Sequence, residues 1–300
     1  MLTLIALLLA GCGVLTASNQ TLLLGAAAIR PLATPTVLDA ALAEASEVAH
    51  APADLPAPKT PPPPPPPAPP ARARAPGAPL KVMFIGDSIA TTAADGLAPQ
   101  AAGFGINLID DGIQGCGVVQ GGPYNYFGSQ HDPLPQCESW PSAWQADVTR
   151  DDPDLAVVVV GRWELMDRFF EGRWTHIGDP AFDAYLANEV ERAIAIVTTQ
   201  GAKVALFTTP YYRRGLRPDG GLFPEDDPAR VDQMNGIFRA VAAKHPGTVS
   251  LVDFGGRLSP GGQLAMAIDG IPMRSDGVHL TPQAGAWLAP WLLPQLTTIG

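Results

Sequence analysis

Ser88, Asp276 and His279 are the residues of this chain whose types and setting point to one chemistry. Ser88 closes the tripeptide Gly86-Asp87-Ser88, directly after the apolar run Val82 to Ile85 and before a helix-compatible segment from Ile89 to Gln100. Such a run reads as a buried strand, and a small-residue turn at its carboxyl end presents a side chain at the edge of the sheet. Far along the chain, Arg274-Ser275-Asp276-Gly277-Val278-His279 supplies a carboxylate and an imidazole three residues apart. A serine hydroxyl becomes an effective nucleophile when a base removes its proton, and the base works better when a carboxylate fixes its tautomer. The three together would transfer an acyl group through a covalent acyl-serine. Gly-Asp-Ser alone is also a common turn, so the weight rests on both ends occurring in one chain.

The elements that must position these residues follow from hydrophobic spacing. Short runs rich in Val, Ile and Leu at Val82 to Ile85, Ile106 to Ile109, Leu155 to Val160, Val204 to Thr208 and Val249 to Val252 predict five strands. Between them, Phe182, Leu186, Val190, Ala193, Ile194 and Val197 keep helical spacing, as do Val231, Met234, Ile237, Phe238 and Val241. Strands alternating with helices imply right-handed crossovers and a parallel sheet covered on both faces. The expected fold is a three-layer α/β/α domain over residues 80–300 around five parallel strands. A closing helix is expected with Thr281 as its N-cap and Pro282 at its first position, ending near Leu296, with Pro290 and Pro294 as points of kinking or shortening. Ser88, Gly115, Arg162, Trp163, Tyr211 and Tyr212 then follow successive strands at one rim, where ligands of open α/β sheets bind.

Gly86-Asp87-Ser88 after the first strand, Gly115 after the second and Asp276-Gly277-Val278-His279 near the carboxyl terminus resemble the SGNH, or GDSL, hydrolases over roughly Leu80 to Leu296. The resemblance implies a flavodoxin-like strand order, with Ser88 as nucleophile, His279 as base, Asp276 as its orienting acid, and the backbone N–H groups of Ser88 and Gly115 as oxyanion donors. One block departs from the family pattern. Where the family has Gly-x-Asn-Asp, with the Asn donating to the oxyanion, this chain has Gly161-Arg162-Trp163-Glu164. The Trp163 indole, the Arg162 guanidinium or two backbone donors alone are the alternatives. The departure resembles branches that handle O-acyl groups of cell-surface sugars, including domains fused to membrane acyltransferases. Trp163, Trp174, Tyr211 and Tyr212 are candidate walls of a carbohydrate cleft, with a core role as the other reading of each aromatic.

Composition sets the surroundings of that domain. Residues 1–30 are almost continuously apolar and read as a signal or membrane anchor, and Leu9-Ala10-Gly11-Cys12 matches a lipobox with Cys12 as the lipidated residue, although no Lys or Arg precedes it. Residues 31–79 hold 16 of the 33 prolines and read as a disordered, extended linker. Both point to a membrane-anchored domain facing the periplasm or cell exterior. Cys116 and Cys137 remain as a pair, either a disulfide closing a loop of ~20 residues in an oxidising compartment or two buried thiols.

The net charge of -10 argues against a nucleic-acid partner. His50, His131, His176 and His245 share no metal-ligand spacing, and neither a metal nor a cofactor is expected. The function expected is an extracytoplasmic serine esterase or O-acyltransferase acting on acyl, foremost acetyl, esters of envelope or extracellular carbohydrate, with a membrane acyltransferase as a partner. A lipase or thioesterase of the same family and a non-catalytic carbohydrate-binding module are the alternatives.

Overall fold

The computed structural model describes residues 74–300. Strand β1 (Leu80–Gly86) leads into helix α1 (Ser88–Ala101), which returns the chain to β2 (Ile106–Gly112). Then come β3 (Tyr124–Tyr126), β4 (Ser129–His131), the one-turn helix α2 (Pro135–Glu138), α3 (Trp140–Asp151) and β5 (Leu155–Val159). The hairpin β6 (Arg168–Phe170) and β7 (Arg173–Thr175) precedes α4 (Pro180–Val197), β8 (Lys203–Phe207) and α5 (Pro228–Ala242). Strand β9 (Val249–Val252), α6 (Phe254–Leu258), the hairpin β10 (Ala267–Ile268) and β11 (Ile271–Pro272), and α7 (Pro282–Ile299) complete the chain.

The five long apolar runs form one parallel sheet in the order β2-β1-β5-β8-β9. Every residue of β5 is buried, as a central strand covered on both faces must be. The chain moves from β1 to one neighbour and later back past β1 to the other side. Right-handed crossovers therefore put α1 on the opposite face from the helices that follow β2. The helix contacts agree: α1 packs on α7, while α3 packs on α4 and α4 on α5. In register, Gly86 stands beside Gly112 on one side and Val159 on the other, so the carboxyl ends of β1, β2 and β5 share one rim. Ser88 follows β1 at the point where the strand order reverses, the crevice where open α/β sheets bind ligands.

Helices α1 and α7 meet glycine to glycine. A Cβ built on Gly285 would lie 2.3 Å from the Gly96 Cα, so the two backbones touch where no side chain fits. That contact ties the start of α7, just after His279, to the helix that begins at Ser88. Thr281 caps α7 by accepting from Ala284 N at 3.0 Å, with Pro282 next, as expected. Pro290 and Pro294 neither end nor break the helix, which continues to Ile299. Pro290 has no N–H for the Ala286 carbonyl, and Gln100 Nε2 donates to that oxygen instead, at 3.4 Å.

The sequence pattern missed a second sheet. Strands β4-β3-β6-β7 form an antiparallel four-stranded sheet of three-residue strands, too short for alternation to register as a pattern. The anchor expected over residues 1–30, Cys12 and the linker as far as residue 73 lie outside the described residues. Among the described residues, no helix is long and apolar enough to cross a membrane.

Candidate active site

The turn after β1 is shaped by a position only glycine fits. Gly86 has φ 145°, and a Cβ there would sit 1.7 Å from the Val159 carbonyl oxygen. Asp87 then donates its N–H to that oxygen at 3.1 Å and caps α1, its Oδ1 accepting from Ile89 N at 2.7 Å. The side chain of Ser88 thereby leaves the first turn of α1 facing the loop between β11 and α7.

In that loop Asp276 does two jobs. Its Oδ1 accepts from the N–H groups of Val278 at 3.0 Å and His279 at 2.9 Å, which folds the loop back on itself. Its Oδ2 lies 2.8 Å from His279 Nδ1, and His279 Nε2 lies 2.8 Å from Ser88 Oγ. The three residues are thus joined across 191 positions of chain by one line of hydrogen bonds. Partial burial acts to raise the Asp276 pKa. The hydrogen bonds from the His279 ring and N–H, its charge and the Val278 N–H outweigh that and hold the carboxyl well below the usual range. Gly277, at φ 84°, lets the loop pass the Arg213 carbonyl, where a Cβ would approach to 1.9 Å.

The loop after β2 brings Gly115 to the same rim. Ile113 N donates to Gly86 O at 2.7 Å, placing the loop against the nucleophile turn. Gly115 itself has φ 77°. Beyond it three clamps hold the backbone: the disulfide between Cys116 and Cys137, Trp140 Nε1 donating to Val118 O at 2.9 Å, and Val118 N donating to Glu164 Oε1 at 2.6 Å. Of the two readings of the cysteines, the structure takes the disulfide. It closes a separation of 21 residues, so its loss is expected to lower stability by roughly 3 kcal/mol. Urea unfolding of the oxidised protein against Cys116→Ser/Cys137→Ser tests this, and equal midpoints would refute it.

Gly161-Arg162-Trp163-Glu164 divides into three environments. Trp163 is buried against Tyr124 and Tyr126, at ring distances of 6.0 and 5.5 Å, and shares with Gly115 the lining of a cleft of about 10 Å³. Leu134, Cys137 and Arg168 line it too. Arg162 departs from expectation. Its guanidinium is buried and committed to Asp226, with Nε at 3.0 Å and Nη2 at 2.9 Å from Oδ1, and it stacks over the Tyr126 and Phe127 rings. A buried cation takes the nearest carboxylate, so Arg162 is not an oxyanion donor. Glu164 and Asp87 are buried carboxyls that influence one another. Burial first, and the Glu164 charge second, push Asp87 up to about 8, while burial pushes Glu164 up to about 7 against the Val118 N–H.

The tyrosines also depart from expectation. Tyr212 is a core residue, with its hydroxyl oxygen 2.5 Å from where a Gly161 Cβ would stand, and it walls no open cleft. Tyr211 is half-buried and turns its hydroxyl to Asp232 Oδ1 at 2.7 Å, toward α5. Trp174 is exposed on β7 beside Phe169.

Sequence reading passed over Arg214, whose Nε lies 3.6 Å from Asp276 Oδ2, and Arg274, a buried guanidinium none of whose nitrogens has a hydrogen-bond partner. Burial, the larger influence, pulls Arg274 down to about 10 against the pull of Tyr212 and Asp276. Nothing in the spacing marked either arginine. Glu164 did carry a signal, because an acid stands at the last place of the Gly-x-Asn-Asp block.

A family model described as an SGNH domain fused to AT3 domains matches residues 57–294. Among solved structures, the chain is similar to the native aryl esterase of M. smegmatis at 17% identity and TM-score 0.49, over 74% of this chain and 100% of that one. It is similar to a carbohydrate acetylesterase from Sinorhizobium meliloti at 16% identity and TM-score 0.49, over 74% and 100%. It is also similar to the periplasmic domain of a lipopolysaccharide acetyltransferase from Salmonella ser. Paratyphi A, at 13% identity and TM-score 0.45, over 74% and 85%. No curated protein matches the chain. The motifs, the five-stranded parallel sheet and the family match together place this chain in the SGNH domain family, as a serine ester hydrolase or acyltransferase.

Proposed function

We propose that this protein is an extracytoplasmic esterase or O-acyltransferase that removes or moves acyl groups, foremost acetyl, on envelope or extracellular carbohydrate through an acyl-Ser88 intermediate. The observation that carries the reading is the unbroken hydrogen-bond line from Ser88 Oγ through His279 to Asp276. Ser88 Oγ attacks the ester carbonyl carbon as its proton passes to His279 Nε2, and Asp276 stabilises the imidazolium. The carbonyl oxygen becomes an oxyanion, received by the N–H groups of Ser88, free at the first position of α1, and Gly115. Collapse breaks the ester C–O bond, and the departing sugar oxygen takes the proton from His279. Water or a second sugar hydroxyl then attacks the acyl carbon with His279 as base, which regenerates Ser88 and completes hydrolysis or transfer.

The disulfide supports an oxidising compartment. The apolar residues 1–30 and the proline-rich segment support tethering to a membrane, and a family described as fused to AT3 domains supports a membrane acyltransferase partner.

A serine-directed fluorophosphonate, peptide mapping of the adduct, and a p-nitrophenyl ester series from acetate to decanoate test the reading. The expected result is one adduct at Ser88 and acetate turned over at least tenfold faster than decanoate, about 1.4 kcal/mol of discrimination. Preference for decanoate would favour a lipase or thioesterase. An absent adduct on folded protein would favour the binding module.

A further inference from the structure

The Asp276 carboxylate is held by more than its own loop. Its Oδ2, the oxygen that receives His279 Nδ1, also faces Arg214 Nε at 3.6 Å, and the Arg214 side chain is only 13% exposed. Arg214 is itself fixed from two directions. Nη1 donates to the Tyr126 hydroxyl at 2.8 Å, and the Arg214 N–H donates to Asp226 Oδ2 at 3.1 Å. Asp226 is buried, and its other oxygen binds the Arg162 guanidinium. Glu225 flanks that pair at 3.7 Å from Arg162 Nη2 and accepts from Phe127 N at 3.0 Å. A continuous polar line thus runs from the departed Gly-x-Asn-Asp block, through Arg162, Asp226 and Arg214, to the acid beside His279.

We propose that Arg214 is a positioning residue of the esterase site, holding the Asp276 carboxylate in the orientation that aligns His279, and that the buried Arg162–Asp226 pair holds Arg214 in place. The proposal rests on the reading of Ser88, His279 and Asp276 as the reacting groups. Asp276 has two carboxylate oxygens and two tasks. Oδ1 is spent on the backbone of its own turn, which leaves Oδ2 to fix the imidazole. A carboxylate pinned at one oxygen can still swing about its Cβ–Cγ bond, and a guanidinium beside the other oxygen resists that swing. Arg214 approaches from the loop after β8, whereas the turn N–H groups approach from the loop before α7, so the two restraints are independent.

The other charged and titratable groups around Asp276 leave this task to Arg214. The Arg274 guanidinium, two residues away on the same segment, feels the Asp276 charge but makes no hydrogen bond, and the Tyr212 ring lies 6.0 Å from it. Tyr126 touches Arg214 and not Asp276. Arg162 therefore acts at two removes. In place of an oxyanion donor, the block after β5 supplies the foundation of the acid at the other end of the line.

The test compares Arg214→Met and Arg214→Lys in the full chain, with Ser88→Ala alongside. For Arg214→Met, kcat for p-nitrophenyl acetate is expected to fall roughly 10- to 100-fold, the scale of a small misplacement of a reacting group, with KM within about twofold of wild type. The downfield proton resonance of the imidazole N–H bound to a carboxylate is expected to weaken in the same variant. Arg214→Lys keeps a cation within reach of Oδ2 and is expected to recover most of the lost kcat. Wild-type kcat in Arg214→Met would overturn the proposal. So would a loss confined to KM, which marks a substrate contact, or a loss that Lys does not recover while the resonance stays unchanged. If Ser88→Ala retains turnover, the acyl-serine reading fails instead, and that result is read separately.

Discussion

Ser88→Ala and His279→Ala are each expected to lower kcat for acetyl-ester hydrolysis by ~10⁴- to 10⁶-fold, and the double variant to be no slower than the worse single one. The reason lies in the line of hydrogen bonds. Among the described residues, the base within reach of Ser88 Oγ is His279 Nε2 at 2.8 Å, so removing either partner removes the same step. Asp276→Asn should cost ~10⁴-fold, because an amide at Oδ2 no longer selects the tautomer with its proton on Nδ1. Neither alanine substitution opens a core cavity comparable to losing a large apolar side chain, so their thermal unfolding should move little, whereas Asp276→Asn also gives up a charge that stabilises the folded chain and should unfold at a lower temperature. Steady-state kinetics with active-site titration decides the matter. Activity of either alanine variant within tenfold of wild type would remove Ser88 and His279 from the chemistry.

Stability is expected to fall as the pH rises from 5 to 8, and Asp87→Asn to remove much of that fall. In the folded chain, burial and the Glu164 charge keep a proton on Asp87 up to about 8, whereas in the unfolded chain the carboxyl titrates near 3.8. Between those limits the native state binds the extra proton. Its contribution is therefore fully present below the unfolded value and lost as the pH passes the folded one. Three pH units at about 1.4 kcal/mol each make the difference between the wild-type and Asp87→Asn curves roughly 4 kcal/mol. Asparagine keeps the acceptor that caps Ile89 N, so the cap is not the variable. Glu164 and Asp111 are also raised, to about 7 and about 6, and act in the same direction; Asp111 acts alike in both proteins, and the difference between the curves reports Asp87 together with its coupling to Glu164. Asp276 acts oppositely, contributing stability above its unfolded value and losing it in acid. Urea unfolding at pH 5, 6, 7 and 8 gives both curves, and parallel curves would refute the assignment. A neutral Asp87 also suits the chemistry, because a second anion beside Ser88 would oppose the developing oxyanion.

How much was legible follows from the range of each interaction. The five parallel strands were readable because strands buried on both faces are apolar along their whole length, and Leu155–Val159 is such a run. Thr281-Pro282 announced α7 because capping is a local hydrogen bond. The antiparallel sheet was not readable, since its strands are three residues long and the hairpin of Tyr124–Tyr126 with β4 joins the rest of the sheet only through Tyr124 and Arg168, more than forty residues on. Arg162 was misplaced for a related reason. A guanidinium at the strand rim looks available for an oxyanion until Asp226, 64 residues later, is found holding it. Tyr212 sits at the rim in sequence, yet the space over Gly161, empty of a side chain, admits its hydroxyl and leaves the residue buried.

The sequence by itself determined the class of chemistry and the parallel, two-sided character of the sheet. Those depend on residue types and on periodicities of a few positions, such as a serine after a buried strand or an aspartate three residues before a histidine. Only the tertiary structure decided that His279 reaches Ser88, that Cys116 bonds Cys137, and that Arg162 serves Asp226 while Arg214 lies beside Asp276. Each of these is a contact between groups far apart in the chain, made when whole elements pack. The glycine contact of α1 with α7 brings the histidine home, and burial leaves each charge to find the partner that packing has placed beside it.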